Sequence, residues 1–347
     1  MPVSVSNGER ITGALSAAGS FAVVITYLLF KPCKSLRYIE LVFYMSLNLM
    51  IASIGIGIGA THSIGACWFQ TISTNLNYLS AILWSNVMTI QVYLIVYHKR
   101  ALSKHDMNYA HAVCWGLPTL STFLPLIFIK YGNNDDQDAW CFFVQKSDTS
   151  ADGLLVSEIM GFYLWLWLSI IVNFIIIVLI GLQLRRMAVV TEEIRATLKK
   201  LLFYPVVLVL CWIGATIVDL SDVFSVYFSY GVNYLTTVLC IIQGLLIGIS
   251  FFVLNDNVRC YWLDFIYYGT LDSESIAASE RNTHSTKKSS RSFFDIADRP
   301  FDSDISQRST SEYDRASGPY GVEVMKSASP LTQNRGSNNA VSDSVEV

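Results

Sequence analysis

The sequence predicts an all-α membrane protein, a bundle of seven helices that each cross the bilayer. Three observations predict it. Only 15% of the 347 residues are charged, against about 25% in an ordinary soluble domain. The deficit is local: Leu41 to Tyr97 contains no Asp, Glu, Lys or Arg, whereas the chain beyond Leu271 is rich in Ser, Asp and Arg. Lys and Arg also alternate in density from one connecting loop to the next.

The spans run approximately Ile11–Phe30, Tyr38–Ala60, Phe69–Tyr97, Tyr109–Ile129, Ile159–Leu182, Leu201–Leu220 and Val232–Leu254. Each approaches the ~20 apolar residues needed to cross ~30 Å of hydrocarbon. Backbone groups in lipid must be satisfied within the segment, so these are helices. The uncharged run from Leu41 is too long for one crossing, and it breaks at Thr61-His62-Ser63-Ile64-Gly65, where a tight hairpin fits. A soluble helical core would not carry so many uncharged runs of this length. The first span is not a signal peptide, because basic residues follow it rather than precede it.

Orientation follows from the loops. Lys31, Lys34 and Arg37 follow span one; Lys99, Arg100 and Lys104 follow span three. Arg185, Arg186, Arg195, Lys199 and Lys200 lie between spans five and six. The opposite side has only Arg10, Lys130 and Lys146, with the acids Asp135, Asp136, Asp138, Asp148, Asp152 and Asp222. The basic side is cytoplasmic, so residues 1–10 are extracellular and residues 11–254 form the transmembrane domain.

Of seven cysteines, only Cys67 and Cys141 fall on the outer face. A disulfide persists in that oxidising compartment, but the residues alone leave open a bridge or two free thiols. After the last span, residues 255–269 carry the aromatics and aliphatics of a short helix lying in the interface. Cys260 there is a palmitoylation candidate. Residues 270–347 are Ser-rich and too polar to fold, which predicts a disordered cytoplasmic tail. Within it Ser289, Ser290 and Ser292 follow Lys287-Lys288, the pattern of a basic-directed kinase target that would dock a kinase or arrestin-like regulator.

Polar groups within the spans are mostly amides: Asn48, Asn86, Gln91, Asn173, Asn233 and Gln243. Such amides act more often as interhelical glue than as a substrate path. Pro205, near the inner end of span six, removes a backbone hydrogen bond and predicts a kink, and Trp212 lies two turns on. Together they mark span six as the switch helix. Pro118 and Pro125 predict kinks in span four.

Several chemistries are tested by absence. Gly231 to Asn255 has no Lys for a retinal Schiff base, and the five His are scattered. No HExxH, GxSxG or P-loop pattern occurs. No charge relay crosses the midplane and the halves show no repeat. The reading is no catalytic residues, no metal, no cofactor and no nucleic-acid partner. The alternative to a signalling receptor is a seven-span carrier or channel without G-protein coupling.

Four stretches carry a resemblance. They are Cys67-Trp68-Phe69-Gln70 with Tyr78 to Trp84; His111 to Pro118 with Trp140-Cys141; Tyr204-Pro205-Val206-Val207-Leu208 with Trp212; and Gly244-Leu245-Leu246 through Asn255 to Arg259. In these the chain resembles the cyclic-AMP-receptor-like branch of seven-transmembrane G-protein-coupled receptors, over roughly Gly8 to Leu263. The resemblance implies a plasma-membrane receptor, an extracellular small-molecule agonist, a heterotrimeric G protein inside, and a Cys67–Cys141 bridge. Ligand contacts are then expected at Trp68, Lys130, Lys146 and Asp219, and G-protein contacts at Lys99, Arg100, Arg185, Arg186, Lys199 and Lys200. A cyclic nucleotide's phosphate favours Arg or Lys. The outer mouth offers only Arg10, Lys130 and Lys146 beside an acidic loop, so the residues leave the agonist open.

Overall fold

The computed structural model describes residues 3–58, 63–127, 130–132, 141–144, 156–157, 159–186, 192–223 and 228–268. Seven helices among them are long and apolar enough to cross a membrane. They are Val3–Leu29, Arg37–Ile58, Ile64–Tyr93, Lys104–Phe123, Leu164–Arg186, Glu192–Val223 and Tyr230–Leu254. The second has 22 residues, about 33 Å at 1.5 Å per residue, which matches the hydrocarbon thickness. The expected hairpin residues Thr61 and His62 lie outside the described residues.

The helices outrun the apolar runs that predicted them. Span one starts at Val3 rather than Ile11, and span six at Glu192 rather than Leu201. Hydropathy marks only the length in hydrocarbon; the backbone ladder continues into the headgroups wherever nothing breaks it. Arg10 ties the outer end of span one to span two by donating to the Ile58 carbonyl at 2.9 Å. Because of the same extension, Lys199 and Lys200 sit on the span-six helix and not in a loop.

Span three is the axis and the most deeply buried of the seven, whereas span five shows most of its surface outward. A π-helical turn, Leu94–His98, extends span three, and Lys99 ends it in the left-handed region at φ 51°. Trp84, wholly buried on this helix, stacks on Tyr44 of span two at 4.6 Å and meets His111 of span four at 5.0 Å. In span four the two prolines differ. Pro118 stays inside the helix; Pro125 is not a kink but part of a 3-10 turn, Leu124–Ile127, that ends it. A proline has no N–H to continue the α pattern.

Small residues let the first and last spans touch. Ser53 donates to Ser16 Oγ at 2.9 Å, and the Gly244 N–H donates to the same oxygen at 3.1 Å. A Cβ on Gly19 would lie 2.5 Å from Leu245 Cα, and one on Gly248 the same distance from the Gly19 carbonyl oxygen. Lipid tails are as apolar as Leu, so close backbone packing of this kind holds membrane helices together. Gly19→Leu is therefore expected to cost about 3 kcal/mol through overpacking. Tm of the purified chain should fall with it, while Gly181→Leu, where a Cβ meets open space, leaves Tm within a degree or so.

Two features lie outside the spans. Lys130–Gly132 (β1) pairs antiparallel with Phe142–Val144 (β2), an addition to the all-α expectation. It stands where water satisfies open edges, so strands are allowed there. Asp256–Tyr268 forms a short helix after the last span. Its Trp262 donates to Thr26 of span one at 2.9 Å, and Phe30 packs against Tyr261, Trp262 and Phe265. Its other side exposes Leu263, Ile266 and Tyr267.

Candidate functional site

The outer halves of the spans line a half-open cavity of about 240 Å³. Among the described residues, Ile56 comes from span two and Thr74, Asn75 and Tyr78 from span three. Phe162 and Tyr163 come from the turn leading into span five, Trp212 and Ala215 from span six, and Thr237, Cys240 and Ile241 from span seven. The rings pack edge to face. Tyr78 and Trp212 have centroids 5.4 Å apart at 80°, and Phe162 lies 5.3 Å from Trp212. Such geometry sets the positive edge of one ring against the negative face of another.

Ring order leaves polar atoms over. Trp212 Nε1 and Asn75 Oδ1 are buried without a hydrogen-bond partner, and the buried Tyr78 hydroxyl faces the Gln243 amide. Asn75 uses only its amide nitrogen, donating to Thr122 Oγ1 at 3.1 Å. Unpaired groups at such depth each cost about 1–3 kcal/mol.

The outer end of this site is fastened by a disulfide. Cys67 and Cys141 are bonded, with Cα atoms 5.3 Å apart across a sequence separation of 74. Span three grips the same loop by its side chains. Gln70 Oε1 accepts from the Cys141 N–H at 2.9 Å, and Thr71 donates to the Cys141 carbonyl at 3.0 Å. The loop strand β2 therefore starts from a fixed point one turn above the cavity wall at Thr74 and Asn75.

At the inner end a second polar cluster joins three spans. Asn255, which closes span seven, donates to Tyr204 Oη of span six at 3.2 Å and to the Phe251 carbonyl at 2.8 Å. It accepts from Tyr38 Oη of span two at 3.2 Å. Lys200 reaches Asp256 at 3.8 Å beside it. Tyr204 precedes Pro205, so the proline adjoins this cluster, and Trp212 on the same helix lines the cavity.

Between the two ends, Asn173 of span five accepts from Thr89 Oγ1 of span three at 2.6 Å and donates to Ser85 Oγ at 3.3 Å. Gln91 accepts from the Leu102 N–H at 2.8 Å, holding the second inner loop. These two amides act as glue. Asn48 instead bonds the Tyr44 carbonyl of its own helix, and Gln243 is wholly buried with its amide toward the Tyr78 hydroxyl of span three.

Of the expected ligand residues, the structure describes the side chain of Trp68 alone. Trp68 stands exposed at the outer end of span three, not in the cavity. Lys130 lies in β1 and Asp219 on the span-six helix, and the structure does not describe their side chains. Lys146 lies outside the described residues, as do Ser289, Ser290 and Ser292. Among the inner cations, Lys99, Arg185 and Arg186 are exposed. Arg100 pairs with Asp106 at 2.9 Å, so it braces the capping box at Ser103. The side chain of Lys199 is not described. Tyr78, Asn75 and Phe162 had no signal in composition or spacing that set them apart as cavity residues. Asn255 was visible as a helix-ending amide but not as a junction.

Comparison with known proteins bears on this geometry. The family model described as slime mold cyclic AMP receptor matches residues 11–280. Cyclic AMP receptor-like protein A of Dictyostelium discoideum is 24% identical over 131 residues, 38% of this chain and 34% of that protein. Cyclic AMP receptor 1 of the same organism is 24% identical over 206 residues, 56% of this chain and 48% of that protein. The chain thus spans between a third and a half of the length of these curated relatives. The crystal structure of squid rhodopsin superposes with TM-score 0.58 at 13% identity, covering 80% of this chain and 89% of that one. At that identity the likeness is one of fold.

Proposed function

The chain belongs to the slime mold cyclic AMP receptor family, and from that membership we propose a receptor that carries an extracellular small-molecule signal to a heterotrimeric G protein. One observation carries the proposal. Span six holds Trp212 in the outer cavity and Tyr204 in the inner latch, on one continuous helix. A guest that moves Trp212 thereby acts on the contact that closes the inner face. Coupling between sites needs such a shared element with two arrangements.

The remaining assignments follow from this reading. The receptor sits in the plasma membrane as a multi-pass protein, and Lys99, Arg100, Arg185, Arg186, Lys199 and Lys200 border the G-protein surface. Cys260, exposed on the terminal helix, is a palmitoylation site that would hold this helix to the inner leaflet. The tail serines accept phosphate and bind a regulator.

The test is a Gα-dissociation assay in cells expressing the full chain at the surface, challenged with a small-molecule panel. Agonist-dependent dissociation that disappears in Trp212→Ala is the expected result. Silence across the panel, with surface expression confirmed and solute flux measurable in reconstituted vesicles, would move the reading to a carrier.

A further inference from the structure

We infer that the inner end of span one and the terminal helix together bind an inositol phospholipid of the inner leaflet, Lys31 and Lys34 taking its phosphates and the outward face of the helix its acyl chains. The site lies apart from the outer cavity and from the cations assigned to the G protein. It rests on the membrane orientation and not on the receptor reading.

Depth comes first. Trp262 of the terminal helix donates to Thr26 Oγ1 at 2.9 Å, and Tyr261 and Phe265 lie against the Phe30 ring. Thr26 and Phe30 are one turn apart, about 6 Å along the span. These contacts set the helix at the level of the last turn of span one, where hydrocarbon gives way to headgroups. Residues 263, 266 and 267 share one face at the i, i+3, i+4 spacing. Ile266 and Tyr267 on it are 69% and 79% exposed, and Leu263 is exposed beside them. An apolar face at this depth sinks into the boundary between headgroups and acyl chains.

Charge comes next. Three cations near this junction already have acids. Arg37 pairs with Glu40 at 2.6 Å, Arg259 pairs with Asp256, and Lys200 reaches Asp256 at 3.8 Å. Lys31 and Lys34 are both exposed and, among the described residues, neither meets an acid. They stand three residues apart on the short helix Lys31–Ser35, so their side chains share one side. Lys31 directly follows Phe30, the ring on which the terminal helix packs. Insertion topology alone would put cations at this level. It does not put them beside an uncovered apolar face, and that juxtaposition is what an amphiphile with an anionic head recognises.

The kind of head follows from the neighbouring charges. The terminal helix carries Asp256 and Asp264 against one cation, Arg259, so it repels phosphate and leaves the head to the two lysines. Lys binds phosphate as a point charge. A phosphomonoester carries about −1.5 to −2 at neutral pH, and an inositol ring bearing two of them gives each lysine its own partner.

The test titrates the purified full chain in neutral detergent with phosphatidylinositol bisphosphate and counts bound lipid by native mass spectrometry. Every arm carries Cys260→Ser, so that no attached acyl chain competes for the face. Saturable binding is expected, tighter than that of phosphatidylserine. Lys31→Gln together with Lys34→Gln should weaken it roughly 30-fold, about fivefold for each lysine near the surface. Lys104→Gln removes an exposed cation of the second inner loop and should change it little. Ile266→Ser should weaken the lipid but leave soluble inositol trisphosphate unaffected. If the double lysine variant fails to fold, the single replacements and Ile266→Ser decide. Equal binding of phosphatidylserine, an equal loss in Lys104→Gln, or affinity unchanged in the lysine variants or in Ile266→Ser would overturn the inference. So would soluble inositol trisphosphate that binds as tightly as the lipid. Neither agonist nor Gα enters this assay, so its failure leaves the receptor reading untouched, and silence in the Gα-dissociation assay leaves the lipid site untouched.

Discussion

Cys141→Ser is expected to release the outer loop from span three and to lower the stability of that end by about 4 kcal/mol. The magnitude is the chain entropy of a closed loop spanning 74 residues. The bridge does not act alone. The Cys141 N–H and C=O are both held by span three, through Gln70 and Thr71. Those two bonds need the loop already in place, so their contribution falls with the disulfide. Cys67→Ser and Cys141→Ser should therefore give equal losses of surface expression and of Tm, and the double replacement no more than either single one. A double mutant worse than both singles would show that each cysteine does separate work and that the bridge is not what fastens the loop.

The second large effect is expected at the other end of the bundle. Asn255→Ala removes the bonds to Tyr204 and Tyr38 at one stroke. At ~1 kcal/mol each, their loss shifts a closed-to-open ratio by about 2 kcal/mol, or roughly 30-fold. Lys200 and Asp256, both well exposed and 3.8 Å apart, add little. Ligand-independent Gα dissociation should therefore rise in Asn255→Ala, and by a smaller factor in Tyr204→Phe, which removes one bond only. Basal signalling unchanged in both variants, at equal surface expression, would show that the cluster is a static joint and that span six opens elsewhere.

Much of the architecture was legible because a bilayer reads composition. Leu41 to Tyr97 carries no formal charge, and hydrocarbon tolerates such a run only as paired helices. Lys and Arg in the inner loops gave the direction. The helix ends were less legible. Val3–Arg10 and Glu192–Lys200 are not apolar, yet both continue helices, since nothing in them stops the backbone ladder.

The site was the least legible part. Outer-face residues were expected to meet the ligand, and exposed Trp68 does not line the cavity. Trp212 was singled out by its distance from Pro205 and does line it, but its ring partner Tyr78 on span three could be found only in the packed bundle. Leu164–Arg186 shows why: it is apolar on nearly every face, so nothing in its sequence says which side meets lipid and which meets span three. By itself the sequence determined seven crossings, their direction and the outer cysteine pair, because water and lipid sort residues one segment at a time. Only the tertiary structure decided the rotation of each helix about its axis. That rotation brings Tyr78 to Trp212, Thr89 to Asn173, and Tyr38 and Tyr204 to Asn255, because between helices in lipid the choice of face is made by packing and hydrogen bonds rather than by hydrophobicity.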